Sequence, residues 1–147
     1  MTKLVAPHIA KEGGGVIDFN GSCSGYRSPP GVAAYAVTKT TMIGLTRALA
    51  MGLAKDNIRV NGVAPGVKKT KMSEMVSSRH DLYKNPISQL WKGDPEAEKE
   101  VIDFQGIVLG RLGMPEDCTG AAAFSSEDAS YITGEMIIVS GGVQARL

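Results

Sequence analysis

Tyr35, Lys39 and Ser22 are the side chains of this sequence best suited to chemistry on a carbon–oxygen bond. Tyr35 and Lys39 stand four apart, so on a helix both leave the same face about one turn from each other. A free phenol titrates near pH ~10 and is a poor proton donor to an alkoxide at neutral pH. A lysine cation a few Å away favours the phenolate and so lowers a phenol's pKa. The pair therefore reads as a proton donor with its own tuner. Ser22, thirteen residues before the tyrosine, can hydrogen-bond the same substrate oxygen. The spacing also arises by chance on exposed helices, so its setting matters. Of the four tyrosines only Tyr35 satisfies it, since Tyr26, Tyr83 and Tyr131 have Pro30, Ile87 and Glu135 at the fourth position after them.

The surrounding pattern supplies elements to hold these groups. Residues 13–22 read as loop, strand and small-residue turn, with Ser22 on the turn. Ser28-Pro29-Pro30-Gly31 is a second turn. A helix is expected over 33–55, with Met42, Leu45, Leu49 and Leu53 as its apolar stripe and Asp56-Asn57 as its end. Ile58 to Ala64 is a strand that Pro65-Gly66 breaks. A polar irregular stretch follows, then a helix over 96–109 and a short helix opened by Pro115. Met136 to Val139 is a third strand, ended by Gly141-Gly142. Strands alternating with helices, without hairpin signals, predict a parallel sheet covered by helices. Ligands of such sheets sit beyond the carboxyl ends of the strands, where Ser22 and Pro65-Gly66 both fall.

Four groups of residues in order resemble the short-chain dehydrogenase/reductase family: Ser22 with Tyr35-x-x-x-Lys39; Ile58-Arg59-Val60-Asn61 with Pro65-Gly66 and Thr70; Arg111-Leu112-Gly113-x-Pro115-Glu116-Asp117; and Tyr131-Ile132-Thr133-Gly134-Glu135 with Gly141-Gly142. Residues 11–15, 44–50 and 126–135 are similar to carbonyl reductases of that family almost word for word. The resemblance implies an α/β fold, a partial Rossmann-type doubly wound parallel sheet made of its last three strands with flanking helices. It also implies reduction of aldehydes and ketones such as retinal or aromatic carbonyls. Hydride passes from a nicotinamide to the carbonyl carbon, Tyr35 gives the proton, Ser22 steadies the oxygen, and Lys39 tunes Tyr35 and holds the nicotinamide ribose. Pro65, Gly66, Lys68 and Thr70 match the segment against the nicotinamide. NADP(H) is the implied cofactor, with NAD(H) as the alternative, and a homo-oligomer, in the family a tetramer, is the implied assembly.

Departures from the family pattern set further expectations. The 147 residues read as the carboxyl-terminal part of one such domain, without the amino-terminal half that binds the dinucleotide phosphates. The family's catalytic asparagine would precede Met1. Gly13-Gly14-Gly15 precedes a strand, so it reads as a turn and not as a phosphate loop. Lys68 replaces a usual isoleucine, and Ser140 a usual aspartate. Asp18 falls in a strand expected to be apolar, where an unpaired buried carboxylate is costly. Residues 71–94, with His80, Tyr83 and Trp91, read as a substrate lid or an insertion. Strand 16–21 is expected to be a free edge, and the isolated chain to be poorly stable and to associate. A non-catalytic relative that binds full-length reductase subunits is therefore the alternative reading.

Composition excludes little more. Net charge is +1 without a basic cluster, which gives no case for nucleic acid or anionic membrane. No apolar run is long enough to span a bilayer, and the amino terminus shows no secretory pattern. Cys23 and Cys118 lack metal spacing and read as free thiols, and His8 and His80 find no third ligand, so no metal is expected. Ala145-Arg146-Leu147 resembles the Ser-Lys-Leu address read by the peroxisomal import receptor. Peroxisomal residence is the expectation, with cytoplasmic as the alternative.

Overall fold

The computed structural model describes residues 1–28, 31–70 and 95–143. The middle of the Ser28–Gly31 turn, the expected lid at 71–94 and the tail Ala145-Arg146-Leu147 lie outside the described residues. The elements are α1 (Thr2–Lys11), β1 (Gly15–Asn20), α2 (Ala33–Leu53), β2 (Ile58–Pro65), α3 (Pro95–Gln105), α4 (Thr119–Ala122) and β3 (Met136–Val139), with short 3-10 turns between them. The sheet has the order β1-β2-β3, and both pairings are parallel, as the alternating pattern predicts. Asn20 sits beside Val63, and Pro65 beside Val139. β2 is thus the central strand and is buried along most of its length.

One apolar cluster is built from Ala6 of α1, Ala50 of α2, and Ile58 and Val60 of β2, with Ile17, Phe19 and Leu49 packed against it. Fully burying a side chain such as Ile58 or Val60 contributes roughly 1.5–3 kcal/mol. A second cluster joins Val101, Ile107 and Leu112 with Val67 and Val143.

Several expectations are corrected by the packing. The sequence reading contains no helix at 2–11. α1 forms there although Pro7 lies inside it and its N-cap, Met1, offers no capping side chain. Its Ala6, Ile9 and Ala10 recur at helical spacing and meet the first cluster. On α2 the buried residues are Ala36, Thr46 and Ala50, while Leu45 is 43% exposed. Leu49 and Leu53 of the expected stripe pack against the first cluster and Met42 is half-buried, so only Leu45 departs, and the most buried positions are the small side chains beside them. The helix predicted over 96–109 stops at Gln105, because Gly106 takes φ +67. The Gly106 amide donates to the Asp103 carbonyl and the Ile107 amide to that of Ile102, a Schellman stop. Asp18 is exposed on β1 and has an interaction partner, so the expected buried, unpaired carboxylate does not occur. Among the described residues β1 pairs only with β2.

Candidate active site at the carboxyl end of the sheet

Parallel pairing puts the carboxyl ends of all three strands at one end of the sheet. β1 leads there into Gly21-Ser22, β2 into Gly66 to Thr70, and β3 into Ser140-Gly141. The Gly21 amide donates to the Val63 carbonyl at 2.7 Å and carries the β1–β2 register one step past the strand. The Ser22 turn and Pro65 are therefore neighbours across two strands.

Ser22 is buried, and its extended backbone opens the 3-10 turn Cys23–Gly25. Its Oγ accepts from the Ser24 amide at 3.1 Å, which fixes the hydroxyl's orientation. Cys23 is half-buried. Burial pushes its thiol up from the usual 9.0, while the Ser22 hydroxyl and then the Lys68 charge act in the opposite sense.

Tyr35 and Lys39 lie in the first two turns of α2. The Lys39 ammonium stands 5.5 Å from the Tyr35 ring centroid and donates to the Asn20 carbonyl at 2.8 Å. That second bond ties the helix to the last residue of β1. Thr40 Oγ1 donates to the Gly25 carbonyl at 2.8 Å and adds another tie. Gly25 is needed where the two elements meet, since a Cβ there would lie 2.9 Å from the Lys39 carbonyl carbon. The turn bearing Ser22 and the helix bearing Tyr35 and Lys39 are thus fastened together. The Tyr35 side chain is 39% exposed, and its hydroxyl bonds to no described residue.

The segment after β2 is held from the other side. The Gly66 amide donates to Val139 at 3.0 Å, and Lys68 bridges to Gly113. The Lys68 ammonium runs inward to the Val139 carbonyl at 2.8 Å. Lys69 pairs with Glu98 at 2.6 Å, and Thr70 is exposed. Gly13-Gly14 lead into β1, which Gly15 opens, at the amino end of the sheet, opposite Ser22.

Other motif residues build the frame. Arg59 donates to the carbonyls of Phe124, Ser126 and Ile132 at 2.7, 2.9 and 3.2 Å. Asn61, fully buried, donates to Ile132 at 2.9 Å and accepts from the Glu135 amide at 3.2 Å. Thr133 Oγ1 accepts from the Val60 amide at 3.0 Å. Arg111 grips Asp117 with two bonds of 2.8 Å, and Asp117 also accepts from the Met114 amide at 2.7 Å. The guanidinium, then the amide, holds the Asp117 carboxyl well below the usual carboxylate range. Side-chain type and spacing cannot reveal these contacts, because most partners are backbone groups distant in sequence.

The donor set fits the ribose end of a nicotinamide cofactor. An ammonium carries three N–H donors, and Lys39 uses one of them beside an accessible phenol. Among the described residues no group of three metal-ligating side chains occurs, and no helix is long and apolar enough to cross a membrane.

Comparison with known proteins bears on the family and the fold. Residues 1–103 match the family model described as enoyl-(acyl carrier protein) reductase. A Caenorhabditis elegans protein named dehydrogenase/reductase SDR family member 4 is 66% identical over 148 residues, covering 100% of this chain and 52% of its own length. A 7α-hydroxysteroid dehydrogenase solved with NADH and 7-oxo glycochenodeoxycholic acid matches at TM-score 0.76 and 32% identity, over 99% of this chain and 51% of its own. An NADPH-bound short-chain oxidoreductase from Pseudomonas aeruginosa PAO1, with an atypical catalytic center, matches at TM-score 0.80 and 22% identity, over 99% and 52%, and shares the fold. The chain spans about half the length of the relatives it matches.

Proposed function

The chain belongs to the short-chain dehydrogenase/reductase family, a family of oxidoreductases, and from that premise we propose that it carries the proton-donating side of an NADPH-dependent carbonyl reductase site. The observation that carries the reading is the Lys39 ammonium, bonded to Asn20 and set 5.5 Å from the Tyr35 ring at the carboxyl end of the sheet. A bound nicotinamide supplies hydride to the carbonyl carbon. Tyr35 donates its phenolic proton to the oxygen as negative charge gathers there. Lys39 offsets the charge left on the phenol oxygen and directs its remaining N–H donors to the ribose hydroxyls. Ser22 donates a hydrogen bond to the same oxygen, which a buried, pre-oriented hydroxyl does without reorganising. Pro65, Gly66, Lys68 and Thr70 form the wall against the nicotinamide, Lys68 through its place in the segment.

Aldehydes and ketones, retinal or aromatic carbonyls among them, are the proposed substrates. The keto steroid named with the 7α-hydroxysteroid dehydrogenase supports a ketone. NADP(H) is the proposed cofactor, with NAD(H), the cofactor named with that dehydrogenase, as the alternative. A homo-oligomer is the proposed assembly. The tail Ala145-Arg146-Leu147 is the proposed peroxisomal address. A fluorescent reporter fused to residues 140–147 would then become punctate, and diffuse fluorescence would reject the address.

A second reading is favoured by the outer face of α2, where Val37, Leu45 and Met51 are exposed. Such a face suits a subunit that binds full-length reductases without turnover itself.

Fluorescence titration of the purified chain with NADPH separates the two. Saturable binding, followed by carbonyl reduction that Tyr35→Phe abolishes, supports the first reading. A folded chain that binds no NADPH but co-purifies with a full-length reductase supports the second.

A further inference from the structure

A cleft of about 170 Å³ opens where the segment after β2, the end of β3 and the Arg111–Asp117 turn meet. That volume suits a small organic molecule and is far less than a dinucleotide needs. Its wall divides into an apolar part, including Val67, Ile107 and Leu109, and a charged part made by Lys68, Arg111 and Asp117.

The charges are unequally satisfied. Arg111 and Asp117 neutralise each other through two bonds of 2.8 Å, and Asp117 takes a third from the Met114 amide. Lys69 is paired with Glu98. Lys68 makes no ion pair among the described residues, and its single acceptor is the neutral Val139 carbonyl. Lys68 is half-buried, and the Asp117 carboxylate of the same cleft feels its charge but is already engaged by Arg111 and the Met114 amide. An anion within reach of its other N–H donors gains a charge-assisted bond.

We propose that this cleft binds a small organic carboxylate, with the acid on Lys68 and the carbon chain on Val67, Ile107 and Leu109. Arg111 and Asp117, already matched, form the polar rim. Tyr35, Lys39 and Ser22 take no part in the cleft, which shares only Lys68 with the proposed nicotinamide wall.

The test is an amide-resolved NMR titration of the 15N-labelled chain with sodium butyrate, against butyramide as its neutral isostere, at constant ionic strength. Butyrate should give saturable shifts at Lys68, Gly113, Ser140 and Gly141, with butyramide at least roughly tenfold weaker. Lys68→Met should weaken butyrate by roughly tenfold or more, while Lys68→Arg keeps it within about threefold. Leu109→Glu, which sets a carboxylate at the rim of a cleft whose charged contact is intact, should block butyrate in a folded chain. Equal shifts from both probes, shifts that do not saturate, or full binding in a folded Lys68→Met chain would overturn the proposal. Should Lys68→Met fail to fold, the two probes and Leu109→Glu decide it. No nucleotide is present, so a negative result leaves the Tyr35 reading standing, and failed NADPH binding leaves the cleft standing.

Discussion

Asn61→Ala should destabilise the chain more than its modest change in size suggests. Asn61 is fully buried at the centre of β2 and makes two bonds to the turn that precedes β3. Truncation leaves the Glu135 amide, in a part-buried bond, without that acceptor, at a cost of about 1–3 kcal/mol. The Ile132 carbonyl suffers less, because Arg59 still reaches it at 3.2 Å. The emptied side-chain volume adds on the order of 1 kcal/mol, for a total of about 2–4 kcal/mol. With a urea dependence of about 1–3 kcal/mol per molar, the midpoint should fall by about 1–2 M in a circular-dichroism titration. Asn61→Asp is a sharper probe. It keeps the acceptor for Glu135 but turns a donor into an acceptor against the Ile132 carbonyl, so it should cost at least as much as a lost hydrogen bond. A midpoint within about 0.3 M of the parent for both variants would refute the claim that Asn61 holds β2 to the 131–135 turn.

Gly25→Ala places a Cβ 2.9 Å from the Lys39 carbonyl and should push the Ser22 turn off α2. We expect about 1–3 kcal/mol of lost stability, and an unchanged melting temperature would count against the close approach. Asp117→Asn should lower the melting temperature at neutral pH. The folded Asp117 carboxyl titrates below its unfolded value of ~3.9, so its contribution is complete above about pH 4 and fades as pH falls toward the folded value. A gap between variant and parent that widened on acidification would contradict this sign. Burial raises the Cys23 thiol, so iodoacetamide should label it more slowly at neutral pH than a free cysteine, and faster in urea. Peptide-mapped rates above those of the free amino acid would argue for a reactive site instead.

The strands were legible because β-branched runs bounded by Gly, Pro and Asn leave few alternatives. Ile58 to Ala64 is the clearest example, and the observed strand runs one residue further, to Pro65. α1 was not legible. It is short, contains Pro7 and lacks a capping side chain, so its helicity depends on Ala6, Ile9 and Ala10 finding the first cluster. The α2 face was legible in part. Leu49 and Leu53 pack against the first cluster as expected, but Thr46 is fully buried where hydrophobicity ranks Leu45 higher, and it satisfies its hydroxyl at the Met42 carbonyl. The helix stop at Gln105 was written in Gly106, which an apolar-period reading passes over when Val108 and Leu109 continue the pattern. In the candidate site, Tyr35 and Lys39 were legible because their relation is local to one helix. The Lys39–Asn20 bond that orients them spans nineteen residues and leaves no mark on the spacing.

That contrast decides how far family membership carries function. Arg59, Asn61 and Thr133 tie β2 to the turn before β3, and Arg111 with Asp117 locks the turn beside Lys68. None of these side chains meets Tyr35, Lys39 or Ser22 in a hydrogen bond. A relative that had lost its chemistry would still need all of them to keep the sheet paired and the strand ends aligned. Identity of 66% can thus be sustained by the frame alone, and it says nothing by itself about turnover. The case for catalysis rests on three side chains whose retention the frame does not require to the same degree. Ser22 has a structural use, since it caps the 3-10 turn, and Lys39 has one at Asn20. Tyr35 has none on its hydroxyl, which projects from a partly exposed ring and could be removed without breaking a bond to any described residue. Tyr35→Phe is therefore the substitution that separates frame from chemistry. It should leave the melting temperature unchanged and abolish any reduction the chain supports, whereas loss of stability would show that Tyr35 belongs to the frame after all.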